Sequence, residues 1–142
     1  MADIFAPGYP SPNAFAAEKG NAWIGHFEYL AAAGNSGDKV YLGVIPAGVA
    51  VHFVRGNFGD TGTGNTIDLG YEPADGALPA AVLNYWWNDL DTASAAVPAA
   101  ISSAAPIVFD RPVKLVLTIN SANLAGSPNL RVTMMGEMVG AK

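Results

Sequence analysis

Lys39-Val40-Tyr41-Leu42-Gly43-Val44-Ile45-Pro46-Ala47-Gly48-Val49-Ala50-Val51-His52-Phe53-Val54-Arg55, then Gly56-Asn57-Phe58-Gly59-Asp60-Thr61-Gly62-Thr63-Gly64-Asn65-Thr66, then Ile67-Asp68-Leu69-Gly70-Tyr71, is the stretch that decides the fold. Two apolar runs rich in β-branched residues meet at Pro46-Ala47-Gly48, and a third follows a loop of Gly, Asn, Asp and Thr. The order is strand, corner, strand, loop, strand. In the second run Val49, Val51 and Phe53 share one face and Ala50, His52 and Val54 the other. Both faces are largely apolar, as expected where two sheets pack or where one face meets another subunit. Ile67, Leu69 and Tyr71 alternate with Thr66, Asp68 and Gly70, the pattern of a half-buried strand.

Working outward, Trp23, Phe27 and Tyr29 alternate with His26 and Glu28, and Gly34-Asn35-Ser36-Gly37-Asp38 supplies turn chemistry. Downstream, Val113, Leu115, Leu117 and Ile119 alternate with Lys114, Val116, Thr118 and Asn120, and Leu130, Val132 and Met134 with Arg131, Thr133 and Met135. One segment breaks the period. In residues 79–90, Val82, Leu83, Trp86, Trp87 and Leu90 fall on one helical face, with Pro79 suited to a first turn. About seven or eight short strands around one short inserted helix predict an all-β antiparallel sandwich or jelly roll. A parallel α/β fold would need crossover helices that the pattern lacks.

Residues 21–142 read as a single β-sandwich domain preceded by an extended N-terminal arm, residues 1–20. Pro7, Pro10 and Pro12 keep that arm from forming a helix. Ile4, Phe5, Tyr9 and Phe15 ride on it, either folded over its own core or laid on a neighbouring subunit. These four, with Tyr85, Trp86 and Trp87, are the candidate partner contacts, because aromatic side chains bury much area with few torsions. The bland alternative for the second group is a helix plugging one end of the sandwich with both tryptophans inward.

Only 13% of the residues are charged, about half the ~25% typical of soluble domains. Part of the surface is therefore expected to face protein. A net charge of -5 with scattered Lys and Arg argues against nucleic acid or an anionic membrane as partner. With no cysteine, neither disulfides nor a thiolate metal site is available. The first residues lack the basic and apolar regions of a signal peptide, and no apolar run reaches membrane-spanning length, so synthesis in the cytoplasm is expected.

Motifs that carry chemistry are missing. His26 and His52 show no metal-ligand spacing. The Asp60 to Asp68 loop lacks the ligand order of an EF-hand, and its Gly62-Thr63-Gly64-Asn65-Thr66-Ile67 fails the dinucleotide pattern. Ser36 is not in a nucleophile elbow, and Asp89 and Asp91 read as solvated carboxylates. The chain is expected not to be an enzyme and to need no cofactor.

The N-terminal arm, the Ile45-Pro46-Ala47-Gly48 corner, the Gly/Thr loop leading into Leu69-Gly70-Tyr71, the inserted aromatic segment and the closing strands together resemble small virion structural proteins of tailed bacteriophages. The similarity is closest to capsid decoration proteins, also called cement or head-stabilising proteins. That resemblance implies a homotrimer on the outside of an icosahedral head, seated on the major capsid protein and made in the host cytoplasm. Competing readings are another virion part, such as a head fibre base or tail component, and a carbohydrate-binding module presenting Trp86 and Trp87 to sugar rings. A small hydrolase is the weakest reading, for want of convergent titratable groups.

Overall fold

Period-two alternation makes strands, and strands with one apolar face must bury it against another sheet. The computed structural model describes residues 2–6, 9, 13–16, 21–30, 34–92, 97–126 and 128–140, with 13–16 and 97–99 described by backbone alone. The described residues form eleven strands: β1 (Asp3–Phe5), β2 (Asn13–Ala16), β3 (Ala22–Leu30), β4 (Lys39–Ile45), β5 (Val49–Phe58), β6 (Thr66–Pro73), β7 (Val82–Asp91), β8 (Val97–Ile101), β9 (Ile107–Phe109), β10 (Val113–Ile119) and β11 (Asn129–Met138). One sheet, here sheet A, has the order β1-β4-β10-β6-β7. The other, sheet B, has the order β2-β3-β11-β5-β8, with β9 also on β5. Every pairing is antiparallel except the parallel β1 and β4.

The opening stretch forms strand, corner, strand, loop and strand in that order. β4 and β5 lie in different sheets, joined at Pro46-Ala47-Gly48, where Gly48 has φ of 82°. That left-handed conformation favours glycine at the corner. Inward side chains of both sheets form one core that includes Phe27, Phe58, Phe109, Leu69, Leu115 and Leu130. In β3 the alternation is complete, with Trp23, Phe27 and Tyr29 buried and His26 and Glu28 outside. Pro7, Pro10 and Pro12 lie outside the described residues, as does the side chain of Phe15.

Two expectations are corrected. Residues 79–90 form no helix, and no helix occurs among the described residues. Val82–Asp91 is instead the edge strand β7, paired with β6. Its ladder is interrupted twice: Asn88 and Asp89 together oppose Asp68, and the four residues after Val82 oppose Gly70 alone. Extra residues in one strand reset its inward phase. Val82, Trp87 and Leu90 therefore point at the core from positions that a helical stripe would also use. Gly70 permits the larger interruption, since a Cβ there would run into the Val82 carbonyl and the Leu83 backbone.

The second correction concerns β5. Met135 pairs with Phe53 and Gly136 with Val51, so His52 is an extra residue. This bulge reverses the inside and outside of the strand. Val49 and Val51 are buried before it, Val54 and Phe58 after it, and Phe53 turns outward instead of sharing the face of Val49 and Val51.

Candidate interaction surfaces

β1 adds a strand to the edge of sheet A, which brings Phe5 and Tyr9 against Tyr41 on that sheet, while Phe15 belongs to β2 of sheet B. Ile4 pairs with Val40 and packs against the core, whereas Phe5, 54% exposed, stacks on Tyr41 with ring centroids 4.9 Å apart. Tyr9 completes the cluster, 5.1 Å from Phe5 and 6.2 Å from Tyr41. The strand is tethered by Asp38, whose carboxylate accepts from Ala2 N at 2.9 Å and from Asn35 N at 3.0 Å. The Ala2 and Asn35 amides hold that carboxyl below its ordinary range.

Beneath the aromatic cluster, Glu72 lies 3.2 Å from Lys39 Nζ and 3.6 Å from Lys114 Nζ, and Lys114 sits 5.1 Å from the Tyr41 ring centroid. Burial pushes Glu72 upward, but hydrogen bonds from Tyr41 and Lys39 and the two ammonium charges outweigh it, leaving its pKa lowered. Burial, reinforced by the hydrogen bond to Glu72, raises the Tyr41 phenol. Glu72, Lys39 and Lys114 together carry one net positive charge beneath the aromatic rings.

The second aromatic group faces the other way. Trp86 and Trp87 are only 6% and 8% exposed. Trp87 meets Phe58 edge-on at 5.5 Å, and Trp86 packs against Tyr71 at 5.9 Å. Tyr85 is half-buried and donates its hydroxyl to the Ala105 carbonyl at 2.8 Å. These rings join the two sheets and leave little surface for a partner.

A surface that the sequence did not reveal lies on the outside of sheet B. Ile24, Met135 and Phe53 are register partners across β3, β11 and β5, and are 37%, 46% and 37% exposed. Beside this apolar row is a hollow of about 230 Å³ lined by His26, Arg55, Asn57, Arg131 and Thr133. Arg131 pairs with Glu28 at 2.7 Å, while Arg55 has no ion pair among the described residues. Phe53 joins the row only because of the bulge at His52, which no period-two reading of β5 anticipates. A second, more apolar hollow of about 260 Å³ opens between Leu78-Pro79 and β9, with Tyr71 and Phe109 among its walls.

The residues considered for chemistry are dispersed. His26 Nδ1 is 3.1 Å from Thr133 Oγ1, and His52 Nε2 is 3.3 Å from Glu137 Oε1. Asp60 accepts from the Gly62 amide, a turn contact within its own loop. Among the described residues no three His, Cys, Asp or Glu side chains gather where they could hold a metal ion.

No family model and no curated protein matches the chain. Solved structures do. A chain in the structure titled "Capsid of Ralstonia phage GP4" superposes with a TM-score of 0.66 at 20% identity, over 96% of this chain and 98% of that one. The fold is one found in phage capsids. A chain of "Cyanophage Pam1 capsid asymmetric unit" superposes with a TM-score of 0.60 at 15% identity, over 93% of this chain and 96% of that one. Both matches run almost end to end, so the likeness extends over nearly the whole chain.

Proposed function

We propose that this chain is a non-enzymatic virion structural protein that decorates and stabilises an icosahedral phage capsid. On this reading it binds the outside of the shell formed by the major capsid protein, as a homotrimer. The observation that carries the proposal is the end-to-end likeness to similarly sized chains in two phage capsids. The winding supports it: β3-β11-β5-β8 facing β4-β10-β6-β7, with β6 and β7 the hairpin that stays within one sheet, is the strand order of a jelly roll, an architecture common in capsids. Composition agrees, since few charges and an exposed apolar row suit a protein that buries surface in an assembly.

Ile4, Phe5 and Tyr9 belong to the proposed shell contacts, with Phe5 and Tyr9 presented on the platform of Tyr41. Stabilisation follows from mass action: a protein that binds the assembled shell and not its free subunits lowers the free energy of the shell, and many equivalent copies add. The sugar-binding alternative loses its carriers, because Trp23, Trp86 and Trp87 are all buried. The test is to add the purified chain to heads prepared without it and follow their thermal disruption. Saturable binding with a raised disruption temperature is expected; unaltered heads at saturating protein would refute the proposal.

A further inference from the structure

We infer that the hollow beside the Ile24–Met135–Phe53 row, on the outer face of sheet B, is a carboxylate-binding site that takes an acidic side chain from a protein segment with apolar residues on either side of it. The inference goes beyond the proposed function and does not depend on it.

Register builds the site. Thr133 on β11 pairs with His26 on β3 and with Arg55 on β5, and Arg131, two residues back, pairs with Glu28 and Asn57. His26, Arg55, Asn57, Arg131 and Thr133 line the hollow of about 230 Å³. Two of the three arginines and one of the two histidines therefore meet at one place, in a chain whose net charge is -5. The bulge at His52 is what makes this possible. Val49 and Val51 point inward, so unbroken alternation would send Arg55 into the core; the extra residue turns it outward together with Phe53.

The charge of the hollow is only partly answered from within the chain. Glu28 accepts from Arg131 Nε at 2.7 Å, which offsets one guanidinium. Glu137 lies four residues along β11 from Thr133, roughly 14 Å at a strand's rise per residue, and is engaged with His52 at 3.3 Å. Arg55 has no ion pair among the described residues. With histidine counted as neutral, the hollow keeps one net positive charge.

One charge matches a carboxylate, whose two oxygens fit the guanidinium fork of Arg55. A phosphate dianion would be under-compensated and would meet Glu28 at the rim. When His26 Nδ1 accepts from the Thr133 hydroxyl, 3.1 Å away, Nε2 carries the proton and becomes a further donor beside the Asn57 amide. Apolar groups flank the site on two sides. Ile24, Met135 and Phe53 stand two residues along their strands, roughly 7 Å away, and Ile101, the register partner of Arg55 on β8, is 61% exposed. A free inorganic anion would leave both apolar flanks in water, whereas a glutamate between apolar neighbours covers them.

Nuclear magnetic resonance titration of the full chain with acetyl-Leu-Glu-Leu-amide tests this. Saturable shifts at His26, Arg55, Thr133 and Met135 are expected, with a dissociation constant in the millimolar range that rises with salt. The peptide with Gln in place of Glu should bind about tenfold more weakly, and Arg55→Gln should weaken the Glu peptide by about the same factor. Met135→Ser should weaken it about threefold through lost apolar contact. Arg111→Gln, which removes the arginine outside the hollow, should bind as the wild type does. Unchanged melting temperatures show that the variants are folded. Absence of saturable shifts, equal binding of the two peptides, equal binding by Arg55→Gln, or inorganic phosphate binding more tightly than the Glu peptide overturns the inference. The decoration role is decided by the head assay alone, so the two readings fail separately.

Discussion

Replacing Gly136 with alanine tests the bulge on which the outer face of sheet B depends. A Cβ at Gly136 would overlap the Ala50 carbonyl oxygen and approach Ala50 C at 2.9 Å and Val51 Cα at 3.1 Å. Those atoms are backbone, so no rotamer change relieves the overlap and β5 must move away from β11. Moving it weakens about two ladder bonds, at about 1 kcal/mol each, and adds an overpacking cost of about 1–3 kcal/mol. A destabilisation of about 3–5 kcal/mol corresponds to a fall in melting temperature of roughly 10–17 °C for a domain of this size. Gly64→Ala is the control: φ is 76° but nothing lies within 4 Å, so only the backbone conformation opposes the change. That costs about 1 kcal/mol, or about 3 °C. Both are read by thermal denaturation monitored by circular dichroism. If Gly136→Ala melts no lower than Gly64→Ala, the close approach is wrong, and with it the outward turn of Phe53.

Trp87→Ala should cost about 3–5 kcal/mol, because it empties a site packed edge-on against Phe58, and denaturant titration measures the loss. Asp38→Asn should release the first strand at neutral pH, and acid should do the same to the wild type. The Asp38 pKa is lowered on folding, so its contribution is present above the ordinary value of 3.8 and disappears as pH falls through the folded value; faster hydrogen exchange at the Ala6 amide is the readout. At the alkaline end, Tyr41 and Tyr71 have pKa values raised above the ordinary 10.0, so the stability they contribute is complete below pH 10.0 and is lost as pH rises through the folded values. Ultraviolet titration should find two phenols that ionise only at higher pH or on unfolding.

Legibility in the sequence followed the regularity of the strands. β3 and β10 keep an unbroken period of two, and their buried faces could be read directly from Trp23, Phe27 and Tyr29 or Val113, Leu115 and Leu117. β5 and β7 could not be read that way, because a bulge shifts every later side chain by one face and leaves no mark on composition. In β5 that hid Phe53; in β7 it made five apolar residues imitate a helix. Gly70 and Gly136 were the available signals, each a glycine within a strand and each set against the strand that carries the irregularity. The Phe5 and Tyr9 cluster was half legible, since the arm's aromatic character was plain while its parallel pairing with β4 depended on Asp38, a residue that reads as an ordinary turn aspartate. The outer face of sheet B brings together residues from three strands far apart in the chain, and only the register assembles them.

The central claim, that this protein belongs to a capsid, is tested most directly by counting its copies in purified phage heads formed with and without its gene. The account predicts a fixed ratio to the shell protein in the first preparation, with the chain accessible at the exterior, and heads in the second that disrupt at lower temperature. Heads that contain none of this chain, or whose mass and stability are the same in both preparations, would contradict it.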